Sequence, residues 1–180
     1  MKNLLKSIVF VLICSICFAG SIPHYDKYPR TPAVSYEQEI LDFYSTKSPY
    51  GEFSNFALFP IIIEGVHWPT SEHYYQAHKY DSLELQEWVR QAPSAYEAAN
   101  RGRDKNIPKR SDWSTYKDIA MEVAVRAKFS QYETLKELLL STNDSEIFEH
   151  TKNDCYWGDC GDRTGQNKLG KLLMLVRAEL

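Results

Sequence analysis

The sequence predicts a mainly helical α+β domain that contains one small β element. Apolar residues recur at helical spacing in several separate stretches, and two short strand-like runs flank a single Glu64-Gly65 turn. The chain has 180 residues, 43% of them hydrophobic and 25% charged, which is the composition of one ordinary globular domain. Its formal net charge of −3 argues against a protein that coats nucleic acid by bulk electrostatics.

The chain divides into three predicted regions. Residues 1–20 carry two lysines, then an apolar run, then Ala19-Gly20, which is the order of parts in a cleaved signal peptide. We therefore expect an exported protein (periplasmic, secreted or in the secretory pathway) with no stable membrane span after cleavage. An uncleaved segment would instead leave it membrane-anchored or cytoplasmic. Residues 21–39 predict an extended leader that contains three prolines, and residues 40–180 predict the folded domain.

The first predicted elements of the domain are a hairpin and a helix. Residues 61–63 and 66–68 have the residue types of two short strands around Glu64-Gly65. Thr70 can then cap a helix over residues 71–80, because its hydroxyl can accept a hydrogen bond from a free backbone N–H of the first turn.

Capping boxes predict where the next helices begin. A Ser, Thr or Asp that is followed three residues later by Glu favours a helix N-terminus. Asp81 with Glu84 precedes apolar residues at helical spacing, and Ser94 with Glu97 precedes a second helix. Gly102 would end that second helix at the C′ position, where glycine is preferred.

Three further helices complete the predicted domain. The longest is expected over residues 113–128, Ser130 with Glu133 would begin the next, and the last follows a glycine-rich segment near the C-terminus. The predicted inward faces are Trp113, Tyr116, Ala120, Val123, Ala124 and Ala127 in the first, Leu135, Leu138 and Leu139 in the second, and Leu169, Leu172, Leu173 and Val176 in the third.

Two polar stretches near the hairpin are candidates for a functional site. In residues 50–56, aromatic and small polar residues alternate, so Asn55 would sit between aromatic walls or within a packed turn. On the helix after Thr70, Glu72, Gln76 and Lys79 follow the i, i+4, i+7 spacing and should share one face. That face either contacts a ligand or is a solvated surface, and the neighbouring aromatic residues disfavour full exposure.

Two more candidates lie further along the chain. The glycine-punctuated segment 150–167 offers Asp154, Trp157 and Asn167 close to a helix N-terminus that could hold an anion. Its two cysteines either form a disulfide or remain separate thiols, and neither zinc nor EF-hand ligand spacing is present. Arg103 and Arg110 belong to a basic cluster that either binds phosphate or lies in a solvated loop.

Four separated motifs in this order resemble the YbiA-like, or NADAR, family. They are FYSTKSPYGEFSNF, WPTSEHYYQAHKY, GRDKNIPKRSDW and HTKNDCYWGDCGDRTGQNKLGKLLM, and the likeness extends from about Ile40 to Leu180. The resemblance implies an enzyme that hydrolyses an N-glycosidic bond to ribose. Substrates in that family are ribosylamino-pyrimidine phosphates from early riboflavin synthesis, and some members remove ADP-ribose from guanine bases. The alternative is a module that binds ADP-ribose or NAD without cleaving it.

The resemblance also assigns the candidate residues to a site. It implies Glu72 and Lys79 as the catalytic pair, with a substrate-binding set of Asn55, Arg103, Arg110, Trp113, Asp154, Trp157 and Asn167. No metal or organic cofactor is implied, and the partner is a nucleotide-like small molecule, with ADP-ribosylated nucleic acid as a further target. Cys160 departs from the glycine usual in the family, and the hydrophobic leader departs from its usual cytoplasmic location.

Hydrolysis of such a bond predicts a role for each group. Positive charge that develops at the ribose C1′ must be stabilised and the departing nitrogen must be neutralised. We expect Glu72 to face C1′ and Lys79 either to contact phosphate or hydroxyl groups or to attack the opened sugar as a Schiff base. Ribose hydroxyls would bind Asn55 and Asp154, and the base would stack on an indole. The candidates for stacking are Trp113 or Trp157. The candidates for binding phosphate are Arg103 and Arg110.

Overall fold

Six helices and two small sheets make up residues 39–180, the part of the chain that the computed structural model describes. The elements in chain order are β1 (Ile40–Phe43), a 3-10 turn (Gly51–Phe53), β2 (Ile61–Ile63), β3 (Val66–Trp68), α1 (Ser71–Ala77), α2 (Leu83–Arg90), α3 (Ala95–Gly102), α4 (Trp113–Gln131), α5 (Glu133–Leu140), β4 (Glu146–Glu149) and α6 (Lys168–Glu179). The predicted mainly helical α+β class is therefore confirmed. The predicted signal peptide and nearly all of the predicted leader lie outside the described residues.

The two sheets have different origins in the sequence. β2 and β3 form the predicted antiparallel hairpin, in which Glu64 and Gly65 adopt left-handed backbone angles (φ 51° and 78°). β1 and β4 pair in parallel, from Ile40 opposite Glu146 to Phe43 opposite Glu149. The prediction of one small β element was thus incomplete, because β1 and β4 are four-residue strands with a hundred residues between them and no local signal of pairing.

The helix caps confirm some of the predicted starts and correct others. Thr70 and Ser94 accept the N–H of His73 and Glu97, as predicted, although α1 ends at Ala77 rather than at residue 80. The predicted cap at Asp81 is wrong by one residue, because the Ser82 hydroxyl accepts the Leu85 N–H instead.

Three other predicted helix ends are corrected by the structure. Gly102 is the last residue of α3 rather than a left-handed C′ residue. Ser130 lies inside α4, whose last residue is Gln131, and donates its hydroxyl to the Ala127 carbonyl. It therefore cannot cap α5, where Tyr132 occupies the N-cap without a side-chain bond.

The long helix α4 passes through the core and packs against α1, α5, α6 and β2. Its buried face contains Ala120, Met121, Ala124, Val125, Lys128 and Phe129. The predicted alanines 120 and 124 are confirmed, whereas the other four predicted positions are only partly buried, so the true inward face is rotated towards residues 121, 125 and 129. On α6, Leu169, Leu173 and Val176 are buried as predicted and Leu172 is partly buried.

Candidate active site

Helix α1 brings three polar side chains into the interior. All seven of its residues are buried, so a polar side chain on it must find a partner inside the protein. Glu72 and Gln76 are one turn apart, and the Gln76 amide donates to the Glu72 carboxylate at 2.7 Å. Lys79 follows the end of the helix and is 7% exposed. The three side chains line one cavity, as their spacing predicted.

This cavity has a volume of about 240 Å³ and is lined by residues from seven separate parts of the chain. Six of the predicted site residues line it, namely Asn55, Glu72, Lys79, Arg103, Asp154 and Trp157. The remaining lining residues are Tyr44, Phe56, Tyr75, Gln76, Met121, Glu149, Thr151, Asn153 and Leu169. Charged groups and aromatic rings therefore share one cavity, which is typical of a small-molecule site.

Glu72 is held in place through both its backbone and its side chain. Its N–H donates to the Asn55 carbonyl at 3.1 Å, which joins α1 to the loop before the hairpin. The pKa of the Glu72 carboxyl is raised overall, chiefly by burial and also by Asp154, although the Gln76 amide and the positive charges of Lys79 and Arg103 act to lower it. The carboxyl is thus desolvated but has partners that favour its anion.

Lys79 is a buried amine beside two aromatic rings. Its Nζ lies 5.5 Å from the centroid of the Tyr75 ring and 5.8 Å from that of Trp113. Burial lowers the pKa of Lys79 to about 8, with nearby Lys109 and Arg103 acting in the same direction and Glu72 opposing them. A fraction of this amine is therefore neutral near physiological pH, which a nucleophilic lysine requires.

Asn55 enters the cavity from the loop between the 3-10 turn and the hairpin. Its Oδ1 atom is buried and has no hydrogen-bond partner within residues 39–180, and its amide Nδ2 lies 3.0 Å from the Met121 sulfur. The loop itself is supported by Lys128, which is completely buried and donates to the carbonyls of Glu52 and Ser54. An unsatisfied buried acceptor at a cavity wall is suited to a ligand hydroxyl or N–H.

The C-terminal loop contributes Asp154 and Trp157. The Asp154 Oδ1 atom accepts the backbone N–H groups of Tyr156 and Trp157 at 2.7 and 2.8 Å, which sets the turn. The Trp157 indole donates to the Tyr75 hydroxyl at 3.0 Å and packs edge-to-face on that ring. The sequence left open whether the two cysteines form a disulfide or remain separate thiols. In the structure Cys155 and Cys160 form a disulfide, with Cα atoms 4.4 Å apart.

Three predicted site residues lie outside the cavity lining. Trp113 packs against Tyr75, with ring centroids 5.2 Å apart. Arg110 is paired with Asp112 and stacks on the Tyr116 ring. Asn167 uses its whole side-chain amide on the backbone of β4, accepting the Glu149 N–H and donating to the Ile147 carbonyl. The structure thus places these three beside groups that line or support the cavity.

Glu149 is not among the residues that the sequence predicts for the site. It lies at the end of β4, in a segment with several other acids, and only the long-range pairing of β4 with β1 brings it to the cavity. Gln76 and Tyr75 also line the cavity, and helical periodicity had placed both near Glu72 without a role.

Within residues 39–180 no helix is long and apolar enough to cross a membrane. In the same described segment, no three His, Cys, Asp or Glu side chains are grouped so as to hold a metal ion.

Comparisons with known proteins identify the class to which this fold and cavity belong. Residues 42–180 match the NADAR domain model, so the chain belongs to the NADAR family. N-glycosidase YbiA of Escherichia coli K12 is 47% identical over 144 residues, which is 80% of this chain and 90% of that protein. The NMR structure of E. coli YbiA superposes with a TM-score of 0.74 over 79% of this chain and 84% of that one.

More distant relatives have related names. N-glycosidase Npun_R5314 of Nostoc punctiforme is 38% identical over 141 residues, covering 77% of this chain and 90% of that protein. The chloroplastic riboflavin biosynthesis protein PYRR of Zea mays is 38% identical over 176 residues, covering 88% of this chain and 28% of the maize protein. The chain is therefore a hydrolase that acts on the N-glycosyl bond of a small molecule.

Proposed function

We propose that this N-glycosidase cleaves the bond between a ribose phosphate and a base-like amine. The two candidate substrates are ribosylamino-pyrimidine phosphates and ADP-ribosylated guanine. The observation that carries the proposal is the buried Glu72 carboxylate, which lines the same cavity as Lys79 and Trp157. An anion beside an aromatic wall is suited to the positive charge that forms at a sugar C1′ as a base leaves.

The cavity offers a partner for each portion of such a substrate. Glu72 faces C1′ and activates water or stabilises the cationic sugar, and Gln76 keeps its carboxylate oriented. The unsatisfied Asn55 oxygen accepts a ribose hydroxyl, which Asp154 helps to hold. The base stacks on the Trp157 indole.

The phosphate would bind at the cavity rim. Arg103 is exposed there and its guanidinium can pair with a phosphate oxygen. Arg110 supports that rim, because its backbone N–H donates to the Lys79 carbonyl at 2.8 Å.

Lys79 has two possible roles that one experiment separates. Its neutral fraction suits attack on the opened sugar to form a Schiff base, and its charged fraction suits a contact with phosphate or hydroxyl. Borohydride added during turnover traps the first and leaves the second unmodified. A borohydride-stable adduct in wild type that is absent from Lys79→Arg would assign the covalent role.

The substitution Glu72→Gln tests the function directly. Turnover of ribosylamino-pyrimidine phosphate and of ADP-ribosyl-guanine should fall by roughly 100-fold or more, because the neutral amide cannot stabilise the cationic sugar or accept a proton. Glu84→Gln is the matched control, since Glu84 is an exposed acid in the first turn of α2. Undiminished base release by a folded Glu72→Gln protein would remove Glu72 from the mechanism.

The N-terminal segment bears on which substrate is physiological. A cleaved leader would separate the enzyme from cytoplasmic riboflavin intermediates and favour an ADP-ribosylated or nucleotide target outside the cytosol, ADP-ribosylated nucleic acid included. N-terminal sequencing of the protein from its native source tests this point. An intact Met1 in a soluble cytosolic fraction would return the riboflavin intermediates to first place.

A further inference from the structure

Glu149 is a second carboxyl residue in the cavity, and its backbone is held on several sides. It pairs with Phe43 across the parallel β1–β4 ladder. Its N–H donates to the Asn167 side chain at 3.1 Å, and its carbonyl accepts the Asp159 N–H at 3.0 Å. A side chain on so well anchored a backbone has a defined position, which a group that reacts with a bound substrate needs.

The surroundings of this carboxyl differ from those of Glu72. Its Oε2 atom is buried and has no hydrogen-bond partner in the part of the chain that the structure describes. The charged groups that act on it are Asp154, Glu72 and Asp159, all of them acidic. Burial and these three negative charges raise the pKa of Glu149 to about 8, so it retains its proton at neutral pH.

Cleavage of an N-glycosidic bond needs one group that stabilises the positive charge at C1′ and one that neutralises the departing nitrogen. Glu72 has an amide donor and two nearby cations that favour its anion, whereas Glu149 has only burial and like charges. The pKa of both carboxyls is raised, but only Glu72 has neighbours that oppose the rise, so Glu72 is the better candidate for the anion and Glu149 for the acid. The roles proposed above for the other cavity residues do not include protonating the departing nitrogen.

We propose that Glu149 is the catalytic acid of this site and donates its proton to the departing nitrogen. This inference rests on the proposed function. The C1′–N bond breaks, its electron pair goes to nitrogen, and nitrogen takes the Glu149 proton to leave as a neutral amine. Water then adds its hydroxyl to C1′ while Glu72 accepts the other proton of that water. Proton exchange with solvent restores both carboxyls, so the net reaction is hydrolysis.

The test compares two leaving groups in the folded full-length protein. Glu149→Gln keeps the shape of the side chain but cannot transfer a proton. Its turnover of ribosylamino-pyrimidine phosphate should fall by about 100-fold or more, the usual contribution of a general acid. Its turnover of p-nitrophenyl ribofuranoside 5-phosphate should stay close to wild type, because p-nitrophenolate leaves without protonation. Glu146→Gln, on the same strand, is the matched control and should leave both rates unchanged.

The outcomes separate this proposal from the proposed function. Equal losses on both substrates, or no loss on either, would overturn the acid role of Glu149 while wild-type turnover still supported the N-glycosidase. A wild-type protein that cleaved neither these substrates nor ADP-ribosyl-guanine would overturn both. If Glu149→Gln failed to fold, the wild-type pH profiles would decide. The rate should fall above about pH 8 for the amine substrate and show no such additional fall for the p-nitrophenyl one, and identical profiles would refute the proposal.

Discussion

The buried carboxyl of Glu149 should make the stability of the folded protein depend on pH. Its pKa is about 8 in the folded protein against an ordinary value of 4.5. The folded state therefore binds this proton more tightly than the unfolded state. The resulting stabilisation is fully present below pH 4.5 and is lost as the pH rises through 8. At about 1.4 kcal/mol for each tenfold change in proton affinity, it amounts to at most about 5 kcal/mol.

Glu149→Gln replaces the titrating carboxyl by an amide, so the variant lacks this pH-dependent contribution to stability. We expect the difference in unfolding free energy, variant minus wild type, to rise by about 2–5 kcal/mol between pH 5 and pH 9. Urea unfolding followed by tryptophan fluorescence at both pH values measures it, provided that the m-values agree. Lys128, whose pKa is lowered to about 7 by burial, contributes equally to both proteins and cancels in the difference.

The control for this measurement is Glu146→Gln on the same strand, which should follow the wild type at both pH values. A Glu149→Gln protein whose stability ran parallel to that of wild type within about 0.5 kcal/mol would show that folding does not raise the pKa of Glu149, since a carboxyl that ionises normally would contribute no such difference.

Three other perturbations have defined outcomes. In Gly102→Ala the new Cβ would lie 2.0 Å from the Gln76 Oε1 atom. The displaced amide should lower kcat/KM by roughly tenfold and unfolding free energy by about 1–3 kcal/mol, measured by steady-state kinetics and urea unfolding. Lys128→Met leaves two loop carbonyls without their donor, so hydrogen exchange of the adjacent loop amides should quicken by about tenfold or more. Reducing the Cys155–Cys160 disulfide with dithiothreitol should lower the unfolding free energy by about 2 kcal/mol, the loop-entropy value for so short a closed loop.

Each of these has a result that would contradict it. Wild-type kinetics in Gly102→Ala would show that Gln76 does not orient the Glu72 carboxyl for turnover. Unchanged exchange in Lys128→Met would mean that the loop is held by other contacts. For the disulfide, the double substitution to serine serves as the control, and it should match the reduced wild type in stability.

The site residues whose grouping the sequence predicted are those that local backbone geometry positions. Glu72 and Gln76 came together on one wall because a helix places residues i and i+4 on one face, and Lys79 joins them from the turn that follows α1. The hairpin followed in the same way from its Glu64-Gly65 turn. Capping boxes were less exact, because Ser82 competes with Asp81 for the same N-terminus and a one-residue change satisfies the helix equally well.

The predicted site residues that do not line the cavity are positioned by long-range packing. Asn167 has a side-chain amide of the kind that binds ligands, but that amide holds the backbone of β4. Trp113 was one of two candidate stacking indoles, and it packs against Tyr75 without lining the cavity, whereas Trp157 lines it. Residue type alone could not separate these cases, since the same side chain serves either purpose.

Local patterns predict the mainly helical class, most helix positions and the wall of the site on α1, and four motifs indicate the family. The pairing of β1 with β4, and with it the position of Glu149 at the cavity, is seen in the three-dimensional fold alone. Helical periodicity is set by backbone geometry over a few residues. The ionisation of a buried carboxyl is set instead by desolvation and by charges that folding brings from distant positions.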